Sequence, residues 1–333
     1  MNYLALDIGS SSIKGTVWDL DRLAMTASII RIPCPEPITD LPARHFELDP
    51  LAIADATGQV IEALVEQVGE IAGIVSCNQM AGVVLTDTKG NPLSNYLSWR
   101  DQRVLEPFRQ SDQTYYEAIQ ERLTPARSAQ LGHECKLGSA ASLLFWLNEN
   151  NRLTTNTTPL MLGDFIAMHL AGAPPHTEFT NALGALHLET GDWHHDAFDA
   201  LELPKLEWPS LCDSYGPVGN ITMAGKSIPW HPSVGDHQCA LAGTLLQPNE
   251  LSINASTGSQ VSLLSLEYAA GDYQVRPYFD HQYLNTLTHL PAGRSLNVLV
   301  DLLGELARSQ EIKLSDPWPY ILQAAGEANL DLK

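Results

Sequence analysis

Two stretches of the 333-residue chain carry residue types and spacings that suit chemistry on a phosphate. The first contains Asp7-Ile8-Gly9-Ser10-Ser11-Ser12-Ile13-Lys14. Leu4, Leu6 and Ile8 alternate as in a strand, Gly9 and the serines make a turn, and Ile13, Gly15 and Val17 restart the alternation. The segment therefore predicts a hairpin with a serine-rich tip. Asp7 at the end of one strand and Lys14 at the start of the next place a carboxylate, small-residue amides and an ammonium around one concavity. Such a site suits a metal-bound polyphosphate, with amides and lysine on the anion and the carboxylate on the cation or its water. The plainer alternative is an ordinary hairpin with a polar turn. A second stretch, Leu251 to Ser265, repeats the order of strand, hydroxyl-and-glycine turn, and strand. Two such hairpins in one chain suggest two related halves facing each other across a nucleotide.

The intervening sequence predicts the elements that position these tips. Met25 to Ile32 reads as a third strand and Ile32 to Pro42 as a proline-rich loop. Leu51 to Val68 has apolar residues at helical spacing, with Asp49 as cap and Pro50 as first residue. Ile71 to Ser76 is a short buried strand, so the order strands, helix, strand indicates an α/β domain. Asn78-Gln79-Met80-Ala81-Gly82 follows it, at the carboxyl end of a strand, where ligands of α/β sheets sit. Val83 to Asp87 and Asn95 to Trp99 read as a strand pair joined by a turn at Lys89-Gly90-Asn91-Pro92. Trp99-Arg100-Asp101-Gln102-Arg103 opens a predicted helix. Further helices are expected over Ser139 to Asn148, over Phe165 to Leu170 with Asp164 as cap, and near Asp196 to Leu201. Pro204 to Pro232 reads as irregular. Ser233 to Gly243 reads as loop into helix with Asp236 at the cap, and Ser295 to Arg308 as a helix. The adjacent His194 and His195 face different directions on a helix and lack a spaced partner, which argues against a metal site.

Composition bounds the rest. A hydrophobic share of 44% and a charged share of 17% are globular values, and the length allows two domains. The expected boundary splits the chain into residues 1–232 and 233–333. A formal net charge of −20 leaves no basic stripe for nucleic acid and gives an anionic ligand no long-range attraction. No apolar run reaches membrane-spanning length and no signal-like N-terminus is present, so neither membrane nor secretion is expected. Five scattered cysteines without a CxxC pair favour reduced thiols in a cytoplasm.

Asp7 to Lys14, Asn78 to Gly82 with Trp99 to Arg103, and Gly235-Asp236 followed by Ala255-Ser256-Thr257-Gly258 occur in one order across the chain. In that order the sequence resembles the FGGY carbohydrate kinases, whose duplicated ribonuclease-H-like (actin-like) fold phosphorylates sugars with MgATP. Thr180-Asn181-Ala182 and Gly191-Asp192-Trp193 match in character, and the wording from Asn254 to Gln260 is similar to the sedoheptulokinase branch. The resemblance implies an α/β protein of two lobes with a central cleft. Asp7 would orient Mg2+ through water. Gly9, Ser10, Ser11, Ser12 and Lys14 would hold the phosphates of ATP, met from the opposite lobe by Ser256, Thr257 and Gly258. Gln79, Met80, Trp99 and Asp101 would bind the sugar, and Asp236, also at the substrate, would accept the proton of the attacking hydroxyl.

Phosphoryl transfer of this kind is mostly positioning and charge stabilisation, with one carboxylate receiving a proton. A sugar hydroxyl left unpaired in a closed site costs roughly 1–3 kcal/mol, which is why carboxylates and amides line such pockets. Each residue also has a plainer role. Asp236 and Asp101 can serve as helix caps, the latter for a helix over Val104 to Phe108, and Trp99 can serve as packing. Two departures from the family pattern stand out. Ala81 occupies the place where many ketose kinases of the family carry histidine. The family's glycine-rich adenosine-binding segment has no counterpart, so the second lobe reads as incomplete. A fragment, a weakly active sugar-binding module, and a chain completed by a second copy or a partner all remain open.

Overall fold

The computed structural model describes residues 1–255, 259–313 and 315–327. The chain divides into two compact units, one of Met1–Glu250 with Leu263–Thr286 and the other of Leu251–Ser262 with Leu287–Lys333. The strand Lys226–Gly235 runs unbroken through position 232, so no structural break falls at the expected boundary.

The larger unit is built on a mixed sheet. In spatial order its strands are Gly219–Met223, Lys226–Gly235, Gly73–Asn78, Asn2–Ile8, Ser12–Asp19 and Ala24–Met25, with Ile30–Pro33 also pairing with Ser12–Asp19. Asn2–Ile8 and Ser12–Asp19 form the expected hairpin, in a register that sets Asp7 opposite Lys14. The third strand is interrupted: Ala24–Met25 and Ile30–Pro33 each pair with Ser12–Asp19, but the residues between them do not.

Helix Pro50–Val68 starts as the sequence predicts. Asp49 accepts from Leu51 N at 2.9 Å, and the chain leaves the helix through Gly69 at φ 81°. Its buried face carries Ile53, Val60, Ile61 and Leu64 onto the sheet. Gly15 lets that helix approach, since a Cβ there would stand 2.7 Å from Val60 and 2.8 Å from Leu64. Helix Leu162–Ala171 packs beside it on the same core. Asp164 is not its cap. It lies inside the first turn, fully buried, where its carboxylate accepts from the Thr177 hydroxyl at 2.8 Å.

Residues 204–232 are more regular than their prolines predict. Gly219–Met223 and Lys226–Gly235 make a hairpin whose turn residues, Ala224 and Gly225, both have positive φ. Pro232 falls where the register shifts between Trp230 and Ser233, a place in a strand that tolerates a missing N–H.

A second core of the same unit gathers around helix Ala140–Glu149, which buries Leu143, Leu144, Phe145 and Trp146. Here two sequence expectations fail. Val84–Thr86 pairs with Thr158–Leu160, and Tyr96–Leu97 pairs with Glu47–Leu48. The expected pair keeps only an isolated bridge between Val83 and Leu97. The helix expected from Trp99 onward is a single 3-10 turn, Arg103–Leu105. Pro107 restricts Glu106 to extended backbone, which ends the turn.

Strand Leu251–Ala255 belongs to the smaller unit, and strand Ser259–Ser265 starts in it and continues into the larger one. Ser256, Thr257 and Gly258 themselves lie outside the described residues. Helix Gly293–Ser309 follows and leaves Val298, Leu302, Leu303 and Leu306 at least 60% exposed.

Candidate active site

Strands Asn2–Ile8, Gly73–Asn78 and Lys226–Gly235 are adjacent and parallel, and they end level with one another. Ile8 is partnered with Asn78, and Asn78 with Gly235. The segments leaving their carboxyl ends therefore emerge at one edge of the sheet. These are the Gly9–Ser12 turn, the Gln79–Gly82 corner and the helix Asp236–Gly243. A crevice beyond the carboxyl ends of parallel strands is where α/β proteins bind ligands.

The first of these segments is tight. Gly9 N donates to Ser12 O at 3.2 Å, Ser10 and Ser11 are exposed, and Ser12 is buried. Lys14 Nζ donates to Asp7 Oδ2 at 2.8 Å, with 33% and 39% of the two side chains exposed. A pair so open to water contributes about 1 kcal/mol or less, so Lys14 can move to a stronger anion at little cost.

At the second segment, Gln79 N donates to Ile8 O at 3.1 Å, tying the corner to the neighbouring strand. The Gln79 side chain accepts from Trp99 Nε1 at 3.1 Å, and its own amide nitrogen has no partner. Trp99 itself is 47% exposed. Its indole thus fixes Gln79 with the N–H while leaving apolar surface at the corner. Ala81 takes the left-handed conformation at φ 62°, a backbone state uncommon outside glycine, and its carbonyl accepts from Tyr96 Oη at 3.1 Å.

Asp101 sits elsewhere than the sequence suggests. It is fully buried and both carboxylate oxygens are engaged. Oδ1 accepts from Arg103 N at 2.9 Å and Nε at 2.8 Å, while Oδ2 accepts from Arg103 Nη2 at 2.7 Å and Phe46 N at 2.6 Å. Arg103 Nη2 also reaches Glu47 at 2.6 Å. Neither direct sugar binding nor capping of a following helix fits this arrangement. Desolvated carboxylate and guanidinium demand each other, and Asp101 serves to hold Arg103 and the Phe46 backbone.

Asp236 is the first residue of its helix rather than the cap, which is Gly235. Its Oδ1 accepts from His237 N at 2.7 Å. Burial pushes its carboxyl above the ordinary range, the Asp7 charge adds to this, and Arg276 opposes it. Asp236 therefore lies within reach of the Asp7 charge at the same sheet edge. Sequence reasoning missed the Cys77 thiol beside them: Cys77 Sγ donates to Asp7 Oδ1 at 4.0 Å, and its interaction with the Cys239 thiol, with burial, holds it well above the usual thiol range. Burial, then Arg276, lowers His237 to about 4, keeping it neutral.

Side chains behind the edge hold the strands in place. Asn78 Oδ1 accepts from Ser233 Oγ at 2.7 Å and from Asn181 Nδ2 at 3.2 Å, and Asn181 Nδ2 also donates to Ser233 O at 2.6 Å. Among the described residues no group of three or more His, Cys, Asp or Glu side chains is placed to hold a metal, His194 and His195 included. No helix among them is long and apolar enough to cross a membrane.

The mixed sheet, with helices packed on it and three parallel strands ending at one edge, makes this an α/β protein. The model of the FGGY family of carbohydrate kinases, N-terminal domain, matches residues 2–243. The chain belongs to the FGGY family of carbohydrate kinases. It is 29% identical over 255 residues to a glycerol kinase of Alkalilimnicola ehrlichii, a match covering 72% of this chain and 50% of that protein. It is 24% identical over 229 residues to a xylulose kinase of Bacillus subtilis, covering 66% of this chain and 43% of that one. The chain spans about half the length of the curated relatives it matches. The fold is similar to that of a xyloylose kinase from Brucella ovis, with a TM-score of 0.77 and 19% identity over 91% of this chain and 63% of that one. A Plasmodium falciparum glycerol kinase crystallised with ADP gives a TM-score of 0.75 at 18% identity, covering 90% of this chain and 63% of that one.

Two outcomes follow from the buried carboxylates. Asp101→Ala leaves Arg103 with Glu47 as its remaining carboxylate partner and strips Phe46 N of its acceptor, and should lower unfolding free energy by about 2–4 kcal/mol in urea titrations. Unchanged stability would show that the pair carries little. Burial also raises Glu178, 2% exposed, from 4.5 to about 7. A raised carboxyl favours the folded state while protonated, so its contribution is complete below about pH 4.5 and lost as pH rises through 7. On the order of 3 kcal/mol is at stake. The stability of Glu178→Gln should therefore fall less than that of the parent between pH 5 and 7.5, and parallel curves would contradict the assignment.

Proposed function

We propose that the protein phosphorylates a hydroxyl of a polyol or ketose with ATP, with Asp236 as the base. The observation that carries this reading is the placement of Asp7 and Asp236 at one edge of three parallel strands, with Asp236 within reach of the Asp7 charge. Two carboxylates crowded in this way favour a cation between them. The absence of a direct ligand cluster among the described residues suits magnesium that arrives on phosphate and keeps its water. MgATP supplies the phosphoryl group and the charge that neutralises it.

The chain's own residues then have separable tasks. Asp7 orients the cation's water shell. Ser10, Ser11 and Ser12 would meet the phosphates on a turn that Gly9 closes through its N–H to Ser12 O, and Lys14 would leave its weak pair with Asp7 to join them. Ser256, Thr257 and Gly258 are assigned to the phosphates on wording alone. Gln79, with its unpartnered amide, and the apolar surface of Trp99 hold the sugar beside Met80. Asp236 would take the hydroxyl proton as the substrate oxygen bonds to the γ-phosphorus and the bond from that phosphorus to the oxygen leaving with ADP breaks, and its raised pKa brings it nearer to that proton's needs than an exposed aspartate. The glycerol and xylulose kinases among the relatives support a small polyol or ketose, and the Asn254 to Gln260 wording keeps sedoheptulose among the sugars to screen. Free cysteines suit a cytoplasmic setting, and the exposed leucines of Gly293–Ser309 suit a second copy or a partner at that face.

A second reading is a sugar-binding module with little turnover, and what supports it is the corner itself, where the unpartnered Gln79 amide and the exposed Trp99 indole suit a sugar without calling on a nucleotide. Asp236→Asn should reduce turnover about 10²–10⁴-fold while sugar binding persists. Full turnover in a clean preparation of that variant would remove Asp236 from the role. Titration calorimetry separates the two readings. The kinase gives heat with both sugar and MgATP, whereas sugar heat alone, without turnover, identifies the module.

A further inference from the structure

Helix Asp236–Gly243 begins without a side-chain cap, because its cap residue is Gly235. What fixes this corner comes from the 3-10 turn Phe179–Asn181 and the residue before it. Gly235 N donates to Thr180 Oγ1 at 2.8 Å. The Thr180 hydroxyl in turn donates to Glu178 Oε2, which also accepts from Thr180 N at 2.8 Å. Thr180 is fully buried. One turn into the helix, Gln238 Nε2 donates to Pro277 O at 2.9 Å and to Thr180 O at 3.5 Å. The other side of the corner is closed by packing, since a Cβ on Gly235 would stand 2.5 Å from Met80 Sδ.

A hydroxyl that accepts from one group and donates to another has one rotamer that serves both, and each bond strengthens the other. The Gly235 N–H is thereby aimed from outside the helix, and Asp236 is the next residue. A residue needed only to fill this space could be valine, which would make neither bond and leave no buried hydroxyl to satisfy. The carboxylate beneath it is the less economical choice for a structural filler, because its charge resists burial.

We propose that Thr180, anchored by Glu178, is a positioning residue that sets the Gly235–Asp236 corner and so the direction of the Asp236 carboxylate. The functional part of this rests on the reading of Asp236 as the base. Displacing a reacting group by about 1 Å can cost 100-fold in rate, so control of this corner is control of turnover.

The test compares Thr180→Val, which keeps the shape, with Thr180→Ser, which keeps the hydroxyl. Amide exchange at Gly235, resolved by NMR, is read beside steady-state kinetics. Thr180→Val should speed exchange at Gly235 about tenfold or more, without a matching rise across the rest of the sheet. It should lower kcat about 10–100-fold with KM for sugar and for MgATP within about threefold, and Thr180→Ser should recover most of both changes. If Thr180→Val does not fold, Glu178→Gln should raise Gly235 exchange in the same direction by a smaller factor. Unchanged Gly235 exchange in the folded variant, or a Thr180→Ser protein as impaired as Thr180→Val, overturns the proposal. Parent protein without turnover on any sugar defeats the kinase reading instead, and the exchange measurement still decides whether Thr180 holds the corner.

Discussion

The site depends on one constraint: three neighbouring parallel strands stop at the same level. Because Ile8, Asn78 and Gly235 are partnered across the sheet, the turn, the corner and the helix that follow them must share an edge. Parallel pairing needs long crossovers, and this chain supplies them through helices Pro50–Val68 and Leu162–Ala171, whose apolar faces bury the sheet's core side. Hydrophobic burial thus decides where the polar groups stand. A slip of one residue in any of the three strands would turn Asp7 or Val234 to the other face and dissolve the arrangement.

Behind the edge, polar groups take over from packing. Asn78, Asn181 and Ser233 satisfy one another where water is excluded, and Thr180 with Glu178 satisfies the backbone at the last residue of the third strand. Buried networks of this kind contribute little net stability when complete and cost much when broken, so they specify geometry more than they add strength. The Asp101–Arg103–Glu47 group applies the same logic to the Trp99 segment. Its charges are matched inside the core, and the residue left at the surface is Trp99, not Asp101.

Electrostatics give the edge its chemical character. Within a chain of net charge −20, two of the carboxylates stand at this edge, where burial and the Asp7 charge raise the cost of ionising Asp236. The half-buried Cys77 thiol and neutral His237 add no positive charge to relieve it. Relief comes from Lys14 and Arg276, one weakly paired at the surface and the other committed to Glu134 at 2.6 Å. An edge left in this balance is suited to a ligand that brings its own cation.

Local sequence determined a good deal of this protein. The hairpin with Asp7 opposite Lys14, the capped helix after Asp49, the buried strand leading to Asn78 and the helix starting beside Asp236 all follow from periodicity and capping, which act within a few residues. The order of these motifs also marked the FGGY family, which the match over residues 2–243 bears out. Tertiary structure decided what depends on distant partners. Tyr96–Leu97 left its neighbour for Glu47–Leu48, the prolines at 229 and 232 were absorbed into a strand, and Asp101 was drawn into the core by Arg103. The meeting of Cys77 with Cys239, and of Thr180 with Gly235, belongs to the same class. Burial and charge pairing are set by residues far apart in the chain, and no local pattern encodes them.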